Sequence, residues 1–379
     1  MKIKIAHCSD IHIGVRCGNF DNEVSKILSE DTKRAFFDML KICDDEEVDA
    51  VLIAGDLFDS TNVKISDINN LISEIKKYKF KIFISPGNHD PFTPDSPYVK
   101  FNWPENVFIF KERSFEKIIL KEKETIIFGN AFQGAYEYSR TLKNFDSKED
   151  VDDKFINICL THGDLNTFGE SKYGTITTDD ISLSKMDYVA LGHIHKRTEI
   201  LSADSTYYAY SGNLQGTGFD ELGEKGFYIG TVGKKQCNLE FRKICRRTFE
   251  IVDVDVTGCQ YTSDFEDRIF SVLKEKHDYS KNLYKIFLKG EIGEGVVIDI
   301  PLLISFLKDK IFYVNLIDKT NVKIDFKKLH FRNDFKSEFI KKMLFKIENS
   351  KDDIERKINN EALKIGLAAI EEALKEESA

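Results

Sequence analysis

The run "KIKIAHCSDIHIG" at residues 2–14 stays apolar at most positions until it stops at Ser9 and Asp10. A short apolar stretch that ends in small and polar residues reads as a strand buried on both faces. "VDAVLIAGD" at 48–56 and "KFKIFISPGN" at 79–88 repeat the pattern. Between the three lie "EVSKILSEDTKRAFFDMLKICDDE" and "ISDINNLISEIKKY", whose apolar residues recur at helical spacing. The opening is therefore β-α-β-α-β. Further strand-like runs follow closely, "TIIFGNAF", "FINICLTHGD", "MDYVALGHIH", "YYAYSGN" and "GFYIGTV". Helices come early and strands dominate later, which predicts two facing sheets flanked by helices. The segment "LKNFDSKEDVDDK" at 142–154 lacks apolar periodicity and reads as an exposed loop.

The pattern restarts near Phe249 with strand "FEIVDVDV", helix "DFEDRIFSVLKEKH", strand "YKIFLKGEI", helix "IPLLISFLKDK" and strand "IFYVNLID". This predicts a small α+β domain. Two amphipathic helices close the chain. In the first, Phe335, Phe339, Ile340, Met343, Leu344 and Ile347 share a face. The second carries Ile354, Ile358, Leu363, Leu367, Ile370 and Leu374, with Ser350 as the expected N-cap and Asp353 three residues on. The expected domains are residues 1–248, 249–322 and 323–379.

The formal charge of −9 argues against a chain that holds nucleic acid by overall basicity, although a local stripe or bound divalent cations still provide for it. No window reaches the apolar length of a membrane span, and the start enters a strand at once instead of a signal peptide. The expectation is a cytoplasmic protein. The seven cysteines, Cys8, Cys17, Cys43, Cys159, Cys237, Cys245 and Cys259, are scattered and contain no C-x-x-C. Neither a disulfide framework nor a zinc ribbon follows from them.

Chemistry gathers where the core strands end. "SDIHIG" sets Asp10 and His12 one residue apart, on the same side of an extended chain. "AGDLFDS" places Asp56 after a glycine, and "PGNHDPF" offers Asn88 and His89 in a turn. "CLTHGDL" contributes His162, and "LGHIHKR" contributes His193 and His195. Carboxylates, imidazoles and an amide oxygen make a mixed O/N donor set suited to manganese, iron, zinc or cobalt. Seven ligands, His89 aside, are too many for one ion. They suit two ions roughly 3.5–4 Å apart that share a carboxylate and clamp the oxygens of a phosphoryl transfer. His7, inside the first strand, reads as a packed group and not a ligand.

In order and spacing these segments, D-x-H, G-D, G-N-H-D, H-G and G-H-x-H, resemble the calcineurin-like metallophosphoesterase superfamily. The fuller forms "HCSDIHIG", "GDLFDS", "PGNHDPF", "DYVALGHIHKR" and "YSGNLQGTGFDELGEKGFYIG" are most similar to the Mre-type (meiotic recombination eleven) double-strand-break repair nucleases and their bacterial counterpart SbcD. The resemblance covers roughly residues 1–232; beyond that only the layout matches. It implies a two-sheet α/β sandwich, a small α+β DNA-capping domain and a C-terminal helix-loop-helix that grips the coiled-coil base of an ABC-type ATPase of the Rad-fifty/SbcC type. It also implies a homodimer, for which "ISDINNLISEIKKY" is the natural interface helix.

Carried over residue by residue, the resemblance assigns Asp10, His12 and His195 to one manganese ion and Asn88, His162 and His193 to the other, with Asp56 bridging. His89 would stabilise the transition state or protonate the leaving 3′-oxygen of a DNA phosphodiester. The implied activities are 3′–5′ exonuclease on duplex DNA and endonuclease on single strands. Where these nucleases often read G-D-L-F-H, this chain reads "GDLFD". Asp59 in the histidine's place is expected to accept a hydrogen bond from His89 and orient it. Lys234, Lys235, Arg242, Lys243, Arg246 and Arg247 form a local basic stripe, expected to track a DNA backbone. The alternatives are a phosphatase acting on phosphoproteins or small phosphoesters, and a non-catalytic scaffold that tethers DNA ends. "GDLFDST" lacks the arginine of the protein-phosphatase pattern G-D-x-V-D-R-G, and the full donor set argues against a dead site.

Overall fold

A computed structural model describes residues 1–143, 145, 151–165, 171–276, 278–324 and 334–376. It divides the chain into two compact units, Met1–Thr248 and Phe249–Ala379.

The first unit begins β1 (Lys2–Cys8), α1 (Asn22–Asp45), β2 (Ala50–Ile53), α2 (Ile65–Ile75) and β3 (Lys81–Ile84). Strands β4 (Val107–Ile109), β5 (Glu116–Leu120), β6 (Thr125–Gly129), β7 (Glu137–Arg140), β8 (Ile156–His162) and β9 (Tyr173–Thr175) follow. Then come β10 (Tyr188–Gly192), β11 (Leu201–Ala203), β12 (Thr206–Tyr210), β13 (Gly226–Gly233) and β14 (Gln236–Lys243). One sheet runs β14-β13-β1-β2-β3-β4 and the other β11-β12-β10-β8-β6-β5. Strands β1 to β4 are mutually parallel, as are β6, β8, β10 and β12.

The layers follow from which side chains each strand turns where. Ile3, Ile5, Leu52 and Phe83 from the first sheet meet Ile127, Ile158, Leu160 and Tyr188 from the second in a buried inter-sheet core. On the first sheet's other face, Phe36, Met39 and Leu40 of α1 and Ile68, Leu71 and Ile75 of α2 pack against Val51, Ile53 and Ile82. Both faces of β1 and β2 are covered, which explains their unbroken apolar runs. Helix α1 starts on Asp21, whose carboxylate accepts from Val24 N at 2.9 Å. Helix α2 turns its apolar face into this core and leaves Ile65 as its exposed large apolar side chain. The helix proposed from sequence as a dimer surface thus spends that face on its own domain. The loop expected at 142–154 lies largely outside the described residues.

The second unit carries β15 (Phe249–Asp255), β16 (Leu283–Lys289) and β18 (Tyr313–Asp318) as a parallel sheet in that order, with a short β17 (Glu291–Ile292) beside β19 (Asn321–Val322). Helices Thr262–Leu273 and Ile300–Lys308 bury Phe265, Ile269, Leu303 and Leu307 against it. In helices Phe335–Glu348 and Asp353–Glu376, Ile340, Met343, Leu363 and Leu367 close a small core of their own. Phe335, expected on the packed face, is 77% exposed. The last helix is capped by Asp352, whose carboxylate accepts from Glu355 N at 2.7 Å, and not by Ser350. The Ser350 hydroxyl bonds back to Lys346 O instead, closing the preceding helix.

Candidate metal centre

Every sequence-selected donor sits beyond or at the carboxyl end of a parallel strand. Asp10 and His12 follow β1, Asp56 follows β2, Asn88 and His89 follow β3, His162 ends β8, and His193 and His195 follow β10. Such strand ends gather loops from non-adjacent chain segments into one crevice. The ladder between β1 and β2 continues into their loops through Asp10 N to Gly55 O at 3.1 Å, His12 N to Asp56 O at 3.0 Å and Ile13 N to Leu57 O at 2.9 Å. Asp10, His12 and Asp56 adopt φ near +51°, and His193 has φ +105°. Asp10 and His12 therefore do not share a side of an extended strand, as their spacing suggested; left-handed turns at both residues aim them inward. Non-glycine residues in this region are strained, and such strain collects at functional sites.

Two donor clusters result. On one side, His12 Nε2 and His195 Nε2 lie 3.1 Å apart, with Asp10 Oδ1 at 3.9 Å from His195 Nε2. On the other, His162 Nε2 lies 3.0 Å from Asn88 Oδ1 and 3.4 Å from Asp56 Oδ2. Asp56 stands between them, with Oδ2 also 3.9 Å from His12 Nε2 and Oδ1 accepting from His89 N at 2.9 Å. Donor atoms within 4.8 Å of one another group as Asp10–His12–His195, His12–Asp56–His89 and Asp10–Asp56–His162. His193 belongs to none of these groups. Its ring lies beside His162 at 5.2 Å and Tyr173 at 4.7 Å, while its backbone N–H donates to Asp10.

The clusters fit divalent cations on their own chemistry. His162 Nδ1–H donates to the Ala54 carbonyl at 2.9 Å, so Nε2 presents a lone pair toward two oxygens that are themselves acceptors. The Glu221 carboxylate likewise accepts a hydrogen bond from His195 Nδ1–H and leaves Nε2 facing the donors. Acceptors converging on acceptors are repulsive unless a positive charge lies among them. Without a metal, a proton takes that place. Burial pulls the His12 imidazole down, but Asp59, Asp56 and Asp10 outweigh it and hold it at about 9. His195 is raised in the same way, with Glu221 and Asp10 overcoming burial. His193, depressed by burial and by His162 beside it, lies at about 4 and stays neutral. Burial works against the Asp56 carboxylate too, yet His162, His12 and His89 hold it below the usual range.

Residues 3–197 match the family described as calcineurin-like phosphoesterase. The chain belongs to that family. It is 30% identical over 304 residues to the Bacillus subtilis protein named uncharacterized metallophosphoesterase YhaO, covering 77% of this chain and 72% of the relative. It is 24% identical over 306 residues to the DNA double-strand break repair protein Mre11 of Thermoplasma acidophilum, covering 78% and 79%. The D component of the nuclease SbcCD from Staphylococcus epidermidis is 24% identical over 364 residues, covering 85% and 86%. As a calcineurin-like phosphoesterase the chain is a phosphoester hydrolase of a metal-binding fold, with homologues named as a DNA repair protein and as a nuclease. No described helix is long and apolar enough to cross a membrane.

Other residues of this phosphoesterase occupy different positions from those expected. His89 is exposed, and its Nδ1 lies 3.0 Å from the main-chain carbonyl of Asp59. The Asp59 carboxylate instead faces His12 Nδ1 at 3.4 Å. The expected carboxylate contact to His89 is therefore corrected: residue 59 orients the ring through its backbone, and its side chain adds charge to His12. His7 is buried, bonded to Tyr188 OH at 2.8 Å and to Leu191 O at 3.2 Å, away from the donors.

The basic stripe is interleaved with acids. Lys234 pairs with Asp187 and Asp153, Arg242 with Glu46 and Glu240, and Lys243 with Glu224. Arg246 and Arg247 converge on Asp31, and Arg246 also meets Asp38. Lys235 sits at the β13–β14 turn, where its N–H donates to Asp187. These ion pairs brace an edge strand and α1.

Sequence reasoning missed two supports. Glu221, 8% exposed and accepting from Thr217 N and Oγ, fixes the His195 tautomer. Its only signal was a buried-looking acid inside "GFDELGEKGF". Asp90 accepts from Gly87 N, Phe58 N and Tyr98 OH and so holds the Asn88–His89 turn in place. Burial and Asp56 raise its carboxyl to about 7 against those bonds. The aspartate of "GNHD" was legible as a motif letter but not as a brace.

Proposed function

We propose that this phosphoesterase is a two-metal DNA nuclease, a 3′–5′ exonuclease on duplex and an endonuclease on single strands, that processes double-strand breaks. The observation that carries the reading is the way the site opens. A pocket of about 100 Å³ over Asp10, His12, His89 and His195 shares Val15 and Asp59 with a cleft of about 840 Å³. Arg16, Lys26 and Lys64 line that cleft and are exposed, beside Asp59 and beside Glu30 and Asp67, which both pair with Lys33. A small phosphoester has no use for such an annex, whereas a polyanionic strand needs both the length and the cations. The names of the Thermoplasma and Staphylococcus relatives support the same substrate.

In this reading Asp10, His12 and His195 hold one divalent cation, Asn88, His162 and His193 the other, and Asp56 both. Manganese is the proposed metal; two such ions supply water activation near neutral pH and neutralise charge on the phosphoryl oxygens. The chain's own groups do the rest. Glu221 and the Ala54 carbonyl fix which imidazole nitrogen is free. His89, exposed at the mouth with Nδ1 held by the Asp59 carbonyl, presents Nε2 to the leaving oxygen and delivers a proton to it.

The remaining assignments rest on the same footing. Residues 249–322 would cap DNA, and the helices within 323–379 would dock an ABC-type coiled-coil ATPase. Exposed Ile354, Ile358 and Ile365 fall on one face of the last helix, with Phe345 exposed on the preceding one. A homodimer is proposed as well, with α2 contributing Ile65 and its polar face. The reading places the protein in the cytoplasm at the nucleoid.

The test pairs wild type with His89→Gln, in manganese, on end-labelled duplex DNA and on p-nitrophenyl phosphate, with metal content measured on both proteins. DNA cleavage lost in the variant while both retain about two metals is the expected result. Rapid monoester turnover without DNA cleavage would move the substrate to the phosphatase class.

A further inference from the structure

Beside the donor clusters, strands β7 and β9 pair in parallel as a two-stranded ribbon, Glu137 opposite Tyr173 and Arg140 opposite Thr175. Tyr136 immediately precedes β7 and Tyr138 lies within it, in a ladder whose register shifts between Glu137 and Arg140. The intervening Glu137 meets Arg113 at 3.5 Å. The rings form a row. Tyr138 lies 6.2 Å from Tyr136, Tyr136 lies 6.0 Å from Tyr173, and Tyr173 lies 4.7 Å from His193. Successive interplanar angles are 36°, 38° and 37°, so each ring is tilted and not edge-on. One end is at the candidate metal centre, and the other is in solvent, with Tyr136 51% and Tyr138 68% exposed.

Structural packing accounts poorly for this row. The apolar cluster on that side of the second sheet is built from Phe128, Leu142, Ile176 and their neighbours and includes none of the three tyrosines. Two large aromatic rings held in water at ring-to-ring distance expose apolar area with no compensating burial. Lys172 adds a cation 5.9 Å from the Tyr136 ring centre. Aromatic faces in a row with a nearby cation are the features by which proteins hold unpaired nucleotides, bases on rings and phosphates on cations.

We propose that Tyr138, Tyr136 and Tyr173 form a stacking platform for unpaired bases of a nucleic acid strand whose phosphate lies at the donor clusters. The inference rests on the nuclease reading and deepens it. Tyr173, in contact with His193, seats the nucleotide next to the reacting phosphate; Tyr136 and Tyr138 receive the bases beyond it. Because every base has a π-face, the platform selects for unpaired over paired nucleotides without selecting sequence. It gives duplex ends a reason to be frayed in this site and single strands a direct entry.

The test is fluorescence anisotropy with metal-free protein in EDTA, using labelled oligothymidylate and an abasic strand of equal length. Wild type is expected to prefer the base-bearing strand by about tenfold or more. Tyr136→Leu/Tyr138→Leu should lose most of that preference, and Tyr136→Trp/Tyr138→Trp should keep it. Equal binding of the two strands by wild type, or an undiminished preference in the leucine variant, overturns the proposal. Hydrolysis of bis-p-nitrophenyl phosphate and of DNA in manganese is measured on the same wild-type preparation. Phosphodiester cleavage without base preference removes the platform alone; base preference without phosphodiester cleavage removes the nuclease reading alone.

Discussion

His162 Nδ1 and the carbonyl oxygen of Ala54, 2.9 Å apart, tie the last residue of a strand in the second sheet to the loop after a strand in the first. The same histidine offers Nε2 to Asn88 and Asp56, which both belong to the first sheet's loops. The candidate centre is thus assembled across the inter-sheet core. A ligand there binds the folded sandwich and not the unfolded chain, so it must stabilise the fold by mass action.

Manganese at about one hundred times its dissociation constant should therefore stabilise the protein by about 2.7 kcal/mol, roughly 5–10 °C in melting temperature for a unit of this size. His162→Ala should abolish the manganese-dependent part of the shift. Differential scanning calorimetry with and without metal checks this, and an equal shift in the variant would refute a cross-sheet site.

Glu221→Gln keeps the shape of a carboxylate but releases the His195 Nδ1 proton from its ionic partner. A lost tautomer brace of this type weakens metal affinity about 10- to 100-fold. The checking measurement is manganese titration followed by calorimetry. A wild-type isotherm from the glutamine variant would show that Glu221 only packs.

Gly55→Ala should destabilise the protein by about 1–3 kcal/mol and displace His162. A Cβ there would stand 2.1 Å from His162 Nδ1, at a residue whose φ is +90°. Gly134→Ala, where a Cβ meets nothing within 4 Å, should be nearly neutral by comparison. Urea denaturation of the two variants tests the contrast, and equal stabilities would sink it.

His7 supplies a pH dependence whose sign follows from burial. Burial lowers its pKa from 6.5 to about 3, against a smaller rise from the Leu191 carbonyl. The unfolded chain then binds a proton that the folded protein refuses. Stability is complete above pH 6.5 and is lost as pH falls from there toward 3. At about pH 5 this one group costs about 2 kcal/mol relative to about pH 7.5. Metal-free wild type and His7→Gln, unfolded in urea at both values, should differ in pH sensitivity by that amount; parallel profiles would contradict it.

What could be read from the sequence was what repeats locally. The three opening strands and two helices, the helices and long strands of the second unit, and the donors at strand ends all announce themselves by apolar period and a terminating glycine or acid. Short edge elements such as β4, β7, β9 and β11 do not, because three or four half-exposed residues carry no period. Side-chain partnership was equally hidden. Asp59 looked like a partner for His89, yet once its backbone turns, the carbonyl meets that ring and the carboxylate meets His12. The basic run looked bare because its acids, Asp31, Glu46 and Asp187, lie far away along the chain. Glu221 became visible only when His195 was placed beside it.

The split of the donors between the two sheets also governs the life of an incomplete chain. Asp10, His12, Asp56, Asn88 and His89 all precede residue 90, while His162, His193 and His195 arrive some 70 to 105 residues later. A ribosome-bound or truncated product that ends before β8 would carry Asp10, His12, Asp56, Asn88 and His89 but would lack His162, His193 and His195. The full donor set is then present only when synthesis has passed β10 and the second sheet has docked, so premature fragments of this hydrolase should lack phosphoesterase activity.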